Sequence, residues 1–187
     1  MTGVQTCALP ISNPAIMLKT FAYITDFTPY EVFQAIADVN IRKQWDTIFS
    51  EFKIIDTIQE NEIIYMRIKS PSVFVSDRDF VQQRKIWTDF PEKNSVCMHF
   101  KSVIHPAAPE MKKVIRGEII ISGYYIRTLS VKPQRTFLSI ITQSNIKGHI
   151  PTWLVNKVAQ RAPRDWVVNL QKGCQMIRQR EKTKKLM

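Results

Sequence analysis

A chain of 187 residues with 44% apolar and 10% aromatic content can bury the core of one domain and is too apolar to remain disordered. No apolar run reaches the roughly 18 residues of a membrane-spanning helix. The formal net charge of +11 is unevenly placed, since residues 151–187 carry nine Lys/Arg against two acids. Such a density suits phosphate, on nucleic acid or on an anionic membrane surface, or else a solvated basic face without a partner. Cys7, Cys97 and Cys174 are scattered and odd in number, which argues against a disulfide framework and for a reducing compartment. Cys97-x-His99 has no second ligand pair beside it, so neither a metal site nor a cofactor is expected.

Residues 1–12 lack the basic n-region and long apolar core of a signal peptide. The string resembles a sequencing-adapter read-through, so it is set aside as a non-native leader and excluded from the fold. Residues 13–178 are then the domain and 179–187 a basic tail. Ile16 to Phe27 alternates as a strand. Thr28-Pro29-Tyr30-Glu31 starts a helix, with Thr28 as N-cap and Glu31 closing a capping box; the helix runs to about Asn40. A second short helix begins at Ile41. Strands follow over 52–58, 62–69, 80–87, 96–104, 114–126 and 136–143, joined by short connections that imply an antiparallel meander.

Two segments stand out. The connector Ser70–Asp77 carries Val73, Phe74 and Val75, apolar side chains that either tuck inward, the reading preferred, or face a partner such as a lipid surface. From Pro151, Leu154, Val155, Val158, Ala159 and Ala162 form a helical stripe. Trp166, Val167, Leu170, Cys174 and Ile177 resume it beyond Pro163, which is expected to bend or break the run. The order of elements predicts an α+β domain in which a curved sheet closes around this last helix.

Arg42-Lys43-Gln44-Trp45-Asp46, Asp77-Arg78-Asp79-Phe80-Val81, Val114-Ile115-Arg116 and Lys147-Gly148-His149-Ile150-Pro151 with Trp153-Leu154-Val155-Asn156 occur in that order. Together they resemble the START (StAR-related lipid transfer) domain, closest in flavour to its phosphatidylcholine-transfer-like members. The resemblance implies a helix-grip fold, a Bet v 1-like curved antiparallel sheet wrapped on a long C-terminal helix around a lipid tunnel. Family members begin with a helix and two strands for which this chain has no room, so truncation at the N-terminus is expected.

The resemblance also implies a site. Arg42 matches the arginine that meets the lipid phosphate, unless it sits on an exposed helix end. Phe80, Gln82 and Arg84 share a strand face that would point inward, making Arg84 a buried cation satisfied by lipid or by an internal salt bridge, unless it faces outward. Ile64, Met66 and Ile68 on the preceding strand are expected on the tunnel wall, with Trp45 beside them or in the core. The aromatic cage for choline is incomplete, because Met66 and Phe80 stand at two of its positions. The acid that sterol-binding members pair with this arginine falls near Ile63 or Ile64, so that pair is expected to be absent.

The expected function is non-enzymatic binding and transfer of a single lipid, a phospholipid in preference to a sterol. Val73, Phe74, Val75, Leu154, Val155, Val158, Trp166 and Leu170 would form the gate. Arg161, Arg164, Lys182, Lys184 and Lys185 would dock on an anionic membrane. Such a protein is expected to be monomeric, cytoplasmic and peripherally membrane-associated, with no nucleic acid partner. The alternative is a cyclase- or hydratase-like enzyme of the wider helix-grip superfamily, whose mark would be an inward acid/base pair.

Overall fold

The computed structural model describes residues 4–9, 16–70, 72–149 and 152–186; of 4, 6–9, 16 and 152–163 only the course of the backbone is described. Strand β1 is Val4–Leu9 and β2 is Ile16–Thr25, followed by helices α1 (Pro29–Ala37) and α2 (Val39–Trp45). Then come β3 (Phe49–Ile58), β4 (Asn61–Ile68), β5 (Asp77–Thr88), β6 (Val96–Ser102), β7 (Val114–Arg116), β8 (Glu118–Val131), β9 (Gln134–Asn145) and α3 (Thr152–Leu186).

Local chemistry accounts for the helix starts. The Thr28 hydroxyl accepts from the Glu31 N–H at 3.2 Å and the Glu31 carboxylate accepts from the Thr28 N–H at 2.8 Å, the expected capping box. Asp38 then ends α1 three residues before the predicted end. Its carboxylate takes the N–H groups of Asn40 and Ile41, at 2.9 and 3.1 Å, and so caps α2.

The sheet order is β1-β2-β9-β8-β6-β5-β4-β3, antiparallel between neighbours along this path, with β7 parallel beside β5. Residues 4–9, set aside on their sequence, are part of it, since β1 pairs with β2 in register Val4↔Ala22 to Leu9↔Met17. The predicted strand 114–126 is two strands. They part at Gly117, where the pairing passes from β5 to β9; its N–H bonds Asp79 O at 2.9 Å, and only glycine fits, since a Cβ would stand 2.3 Å from the Phe80 ring. Gln59 and Glu60, both at positive φ, make the two-residue turn that pins β3 to β4.

Helix α3 runs unbroken from Thr152 to Leu186, roughly 50 Å. Of the bend or break expected at Pro163 the break does not occur: one missing backbone bond is outweighed by cooperative helix on either side. Its second half fills the core, with Val167, Leu170, Cys174 and Ile177 fully buried against α1, α2 and the sheet. Burying each of the larger side chains stabilises by about 2 kcal/mol. Gly173 lets α3 approach α2, because a Cβ there would stand 2.5 Å from the Trp45 indole.

Two ion pairs tie the C-terminal part of α3 to α1 and its cap: Arg178 with Glu31 at 2.6 Å, and Arg180 with Asp38. Burial alone would raise both carboxyl pKa values, but the hydrogen bonds that each receives from its arginine and from backbone N–H groups outweigh it and hold both low. A depressed folded-state pKa adds stability above the unfolded values, near 4.5 and 3.8, that is lost as pH falls through the folded ones. The variant Arg178→Met/Arg180→Met is therefore expected to unfold at lower urea than the wild type at pH 7, and by a smaller margin at a pH below both unfolded values. A gap of the same size at both pH values would contradict this.

Candidate functional site

Between the inner face of the sheet, α2 and the middle of α3 lies a cavity of about 770 Å³. It falls within the roughly 300–1,000 Å³ of small-molecule sites. Strand alternation builds its wall. Met66, Ile68, Phe80 and Gln82 face in from β4 and β5, whose register sets Met66 opposite Phe80 and Ile68 opposite Arg78. Two bulges change the parity elsewhere. A register shift after Phe49 lets both Phe49 and Phe52 face inward, and one after Ile119 does the same for Ile119 and Ser122.

Three arginines line this largely apolar space. Arg42 is buried, not on an exposed helix end, and its Nε donates to Asp46 Oδ2 at 2.8 Å. Its guanidinium lies within 5.9 Å of the ring centres of Trp45, Phe49, Phe52 and Trp166, an aromatic box occupied by the protein's own cation. Arg84 is also buried and donates to Glu62 Oε2 at 2.7 Å and Ala37 O at 2.9 Å. The internal salt bridge is thus the reading that holds for Arg84. The acid–arginine pair expected to be absent near Ile63 or Ile64 is formed one residue earlier, by Glu62 opposite Arg84 on β4. Burial still leaves the Arg84 pKa below its ordinary value, with Glu62 opposing that shift. The third is Arg78, which sequence reasoning did not single out.

Several expected wall and gate residues stand elsewhere. Of its two expected places Trp45 takes the core and not the wall, its indole N–H bonded to Ala35 O at 2.9 Å, because Gly173 lets α3 press against it. Ile64 is fully buried between Ile54 and Gln82 of the flanking strands and shows no face to the cavity. Leu170 packs in the core against α1 and α2, so it is no gate. Trp166 does line the cavity, but its N–H donates to Asp46 Oδ2 at 2.8 Å and anchors α3 there. Leu154, Val155, Val158 and Arg161 lie outside the residues whose side chains are described.

The connector 70–77 does not tuck inward as a whole. Val73 and Phe74 are 94% and 95% exposed, while Val75 lines the cavity. The loop's base is clamped by Asp77, which accepts from the Ser70 N–H and Arg67 Nε, each at 2.9 Å. Of the expected docking residues, Arg164 precedes Asp165 on the cavity rim. Lys182, Lys184 and Lys185 are exposed roughly 27 Å or more further along α3.

A family model described as START domain matches residues 5–180, nearly the whole chain and including most of β1. The chain belongs to the START domain family. The StAR-related lipid transfer protein 5 of Bos taurus is 26% identical over 155 residues, 80% of this chain and 71% of that protein. The phosphatidylcholine transfer protein of Mus musculus is 27% identical over 160 residues, 84% of this chain and 72% of that protein. In fold, the crystal structure of human STARD10 superposes with a TM-score of 0.76 at 19% identity, covering 95% of this START chain and 76% of that one. The helix-grip architecture, a curved antiparallel sheet against a long C-terminal helix, is thereby shared.

Proposed function

We propose that this START domain binds and transfers one lipid at a time without altering it, and that the lipid is a phospholipid. The observation that carries the reading is one apolar cavity lined by three arginines, of which Arg78 has no carboxylate partner among the described residues. A sterol presents a single hydroxyl to such a set, whereas a phosphate and its ester oxygens present several acceptors. Apolar burial supplies the affinity, about 0.8 kcal/mol for each methylene removed from water. Resemblance in sequence to relatives named for lipid transfer supports the same reading. Of the carboxylates on the wall, Asp46 is committed to Arg42 and Trp166 and Asp165 is exposed, an arrangement that offers no inward acid/base pair among the described residues.

The exchange step runs at a membrane surface. Val73 and Phe74 enter the apolar layer while Lys69, Lys147 and Arg164, all exposed around the mouth, meet anionic head groups. The stretch of α3 before the Trp166 anchor, with Pro163 as its weak point, lifts with the loop. The lysines 182, 184 and 185 steer the protein at longer range. No helix among the described residues is long and apolar enough to cross a membrane, so the contact is peripheral in this reading, made by a monomer in the cytoplasm. Transfer of a fluorescent phospholipid between vesicles tests it. Anionic acceptors should be served faster than neutral ones, with the advantage lost in salt. Phe74→Ser should slow transfer about tenfold, the value of roughly 1.5 kcal/mol of lost apolar burial. Equal, salt-insensitive rates on both vesicle types would overturn the docking step.

A further inference from the structure

Of the three cavity arginines, two are neutralised inside the protein: Arg42 by Asp46 and Arg84 by Glu62. Arg78 is only 7% exposed and has no carboxylate partner among the described residues. Its neighbours in sequence face the other way, with Asp77 on Arg67 and Asp79 held by Arg116 through two hydrogen bonds of 2.8 and 2.9 Å. Arg78 instead donates to three backbone carbonyls: Ser76 at 2.5 Å, Lys147 at 3.1 Å and Ile146 at 3.3 Å. Burial without a counter-charge depresses its pKa. A buried cation with only neutral partners is an expensive arrangement, and one that an entering anion relieves.

We propose that Arg78 is the anion-binding residue of this cavity, taking the phosphate or carboxylate oxygens of the bound lipid in exchange for backbone carbonyls. The inference rests on the carrier reading and names the ligand class within it: an amphiphile with its negative charge at the mouth. Three of the five guanidinium N–H donors are engaged, which leaves two for an anion. A carbonyl offers the guanidinium only a dipole, whereas an anion also neutralises its buried charge, which favours the exchange. Arg78 and Arg84 face inward from one strand six residues apart, roughly 20 Å, so tails anchored at Arg78 run toward the neutralised inner end. Ser76 belongs to the exposed loop, and Ile146 and Lys147 lead into α3. Arg78 therefore clasps the two elements that form the mouth, and an anion that draws it away loosens both.

The test compares cis-parinaric acid with its methyl ester, equal in chain and differing in charge, by fluorescence titration of the full chain at pH 8. The acid should bind at least about tenfold more tightly than the ester, and Arg78→Gln should bring the two within about twofold by weakening the acid alone. Arg78→Lys should keep most of the preference. If Arg78→Gln does not fold, the wild-type ratio and the lysine variant decide. An acid preference that survives Arg78→Gln overturns the assignment, as does equal binding of acid and ester by the wild type, which leaves the carrier reading standing. Binding of neither probe overturns both. Displacement of the acid, but not the ester, by inorganic phosphate would give the site to a free anion and overturn its lipid role.

Discussion

Asp46→Ala is expected to destabilise the protein by about 3–5 kcal/mol, the cost of leaving a buried charge without its partner. The carboxylate is 5% exposed and holds two donors on one oxygen, Arg42 Nε and the Trp166 indole N–H, each at 2.8 Å. Its loss strands the Arg42 guanidinium among four aromatic rings and releases α3 from α2. For a domain of this size, the loss should lower Tm by roughly 10 °C or more. Asp46→Asn, which keeps an acceptor for the indole, should recover part of the deficit. Thermal unfolding followed by tryptophan fluorescence measures both. A shift in Tm of a degree or two for Asp46→Ala would show that Arg42 is solvated and that the α2–α3 junction is not the anchor.

The second large effect concerns capacity rather than stability. Thr142 projects into the cavity from β9, half-buried, its hydroxyl only 3.4 Å from that of Ser144 and otherwise uncommitted among the described residues. Thr142→Trp fills part of the 770 Å³ without touching the core packed around α3. Excluding about four methylenes of an acyl chain removes roughly 3 kcal/mol, or a hundredfold in affinity. Vesicle transfer should fall accordingly while the unfolding midpoint stays near that of the wild type. Undiminished transfer by a folded Thr142→Trp would mean that the lipid does not occupy this space.

Much of the fold is legible along the chain because it rests on local chemistry. Thr28 and Glu31 announce α1, two-residue alternation marks the strands, and the Val167–Ile177 spacing marks the buried face of α3. What is not legible depends on contacts between distant segments. The break at Gly117 falls where the pairing partner changes from β5 to β9, and β7, three residues long, has no periodicity to display. The partnership of Arg84 with Glu62 depends on the β4–β5 register, which lies downstream of an eight-residue connector whose geometry no local signal sets. Arg78 left a readable trace, since the alternation that turns Phe80, Gln82 and Arg84 inward extends two residues back to it. Its lack of a carboxylate partner among the described residues is not legible, because it depends on Asp77 and Asp79 pairing on the other side of the strand. Ile64 shares a strand face with Met66 and Ile68, which points to the wall, but close packing buries it completely, and Gly173 settles Trp45 in the core rather than on the wall.

The central claim is that the cavity carries one intact phospholipid. Native mass spectrometry of the purified protein after incubation with phospholipid and sterol vesicles, followed by lipid extraction, tests it most directly. The expected result is one phospholipid per chain, recovered chemically unchanged. A protein that stays empty, holds sterol in preference, or returns an altered molecule would contradict it.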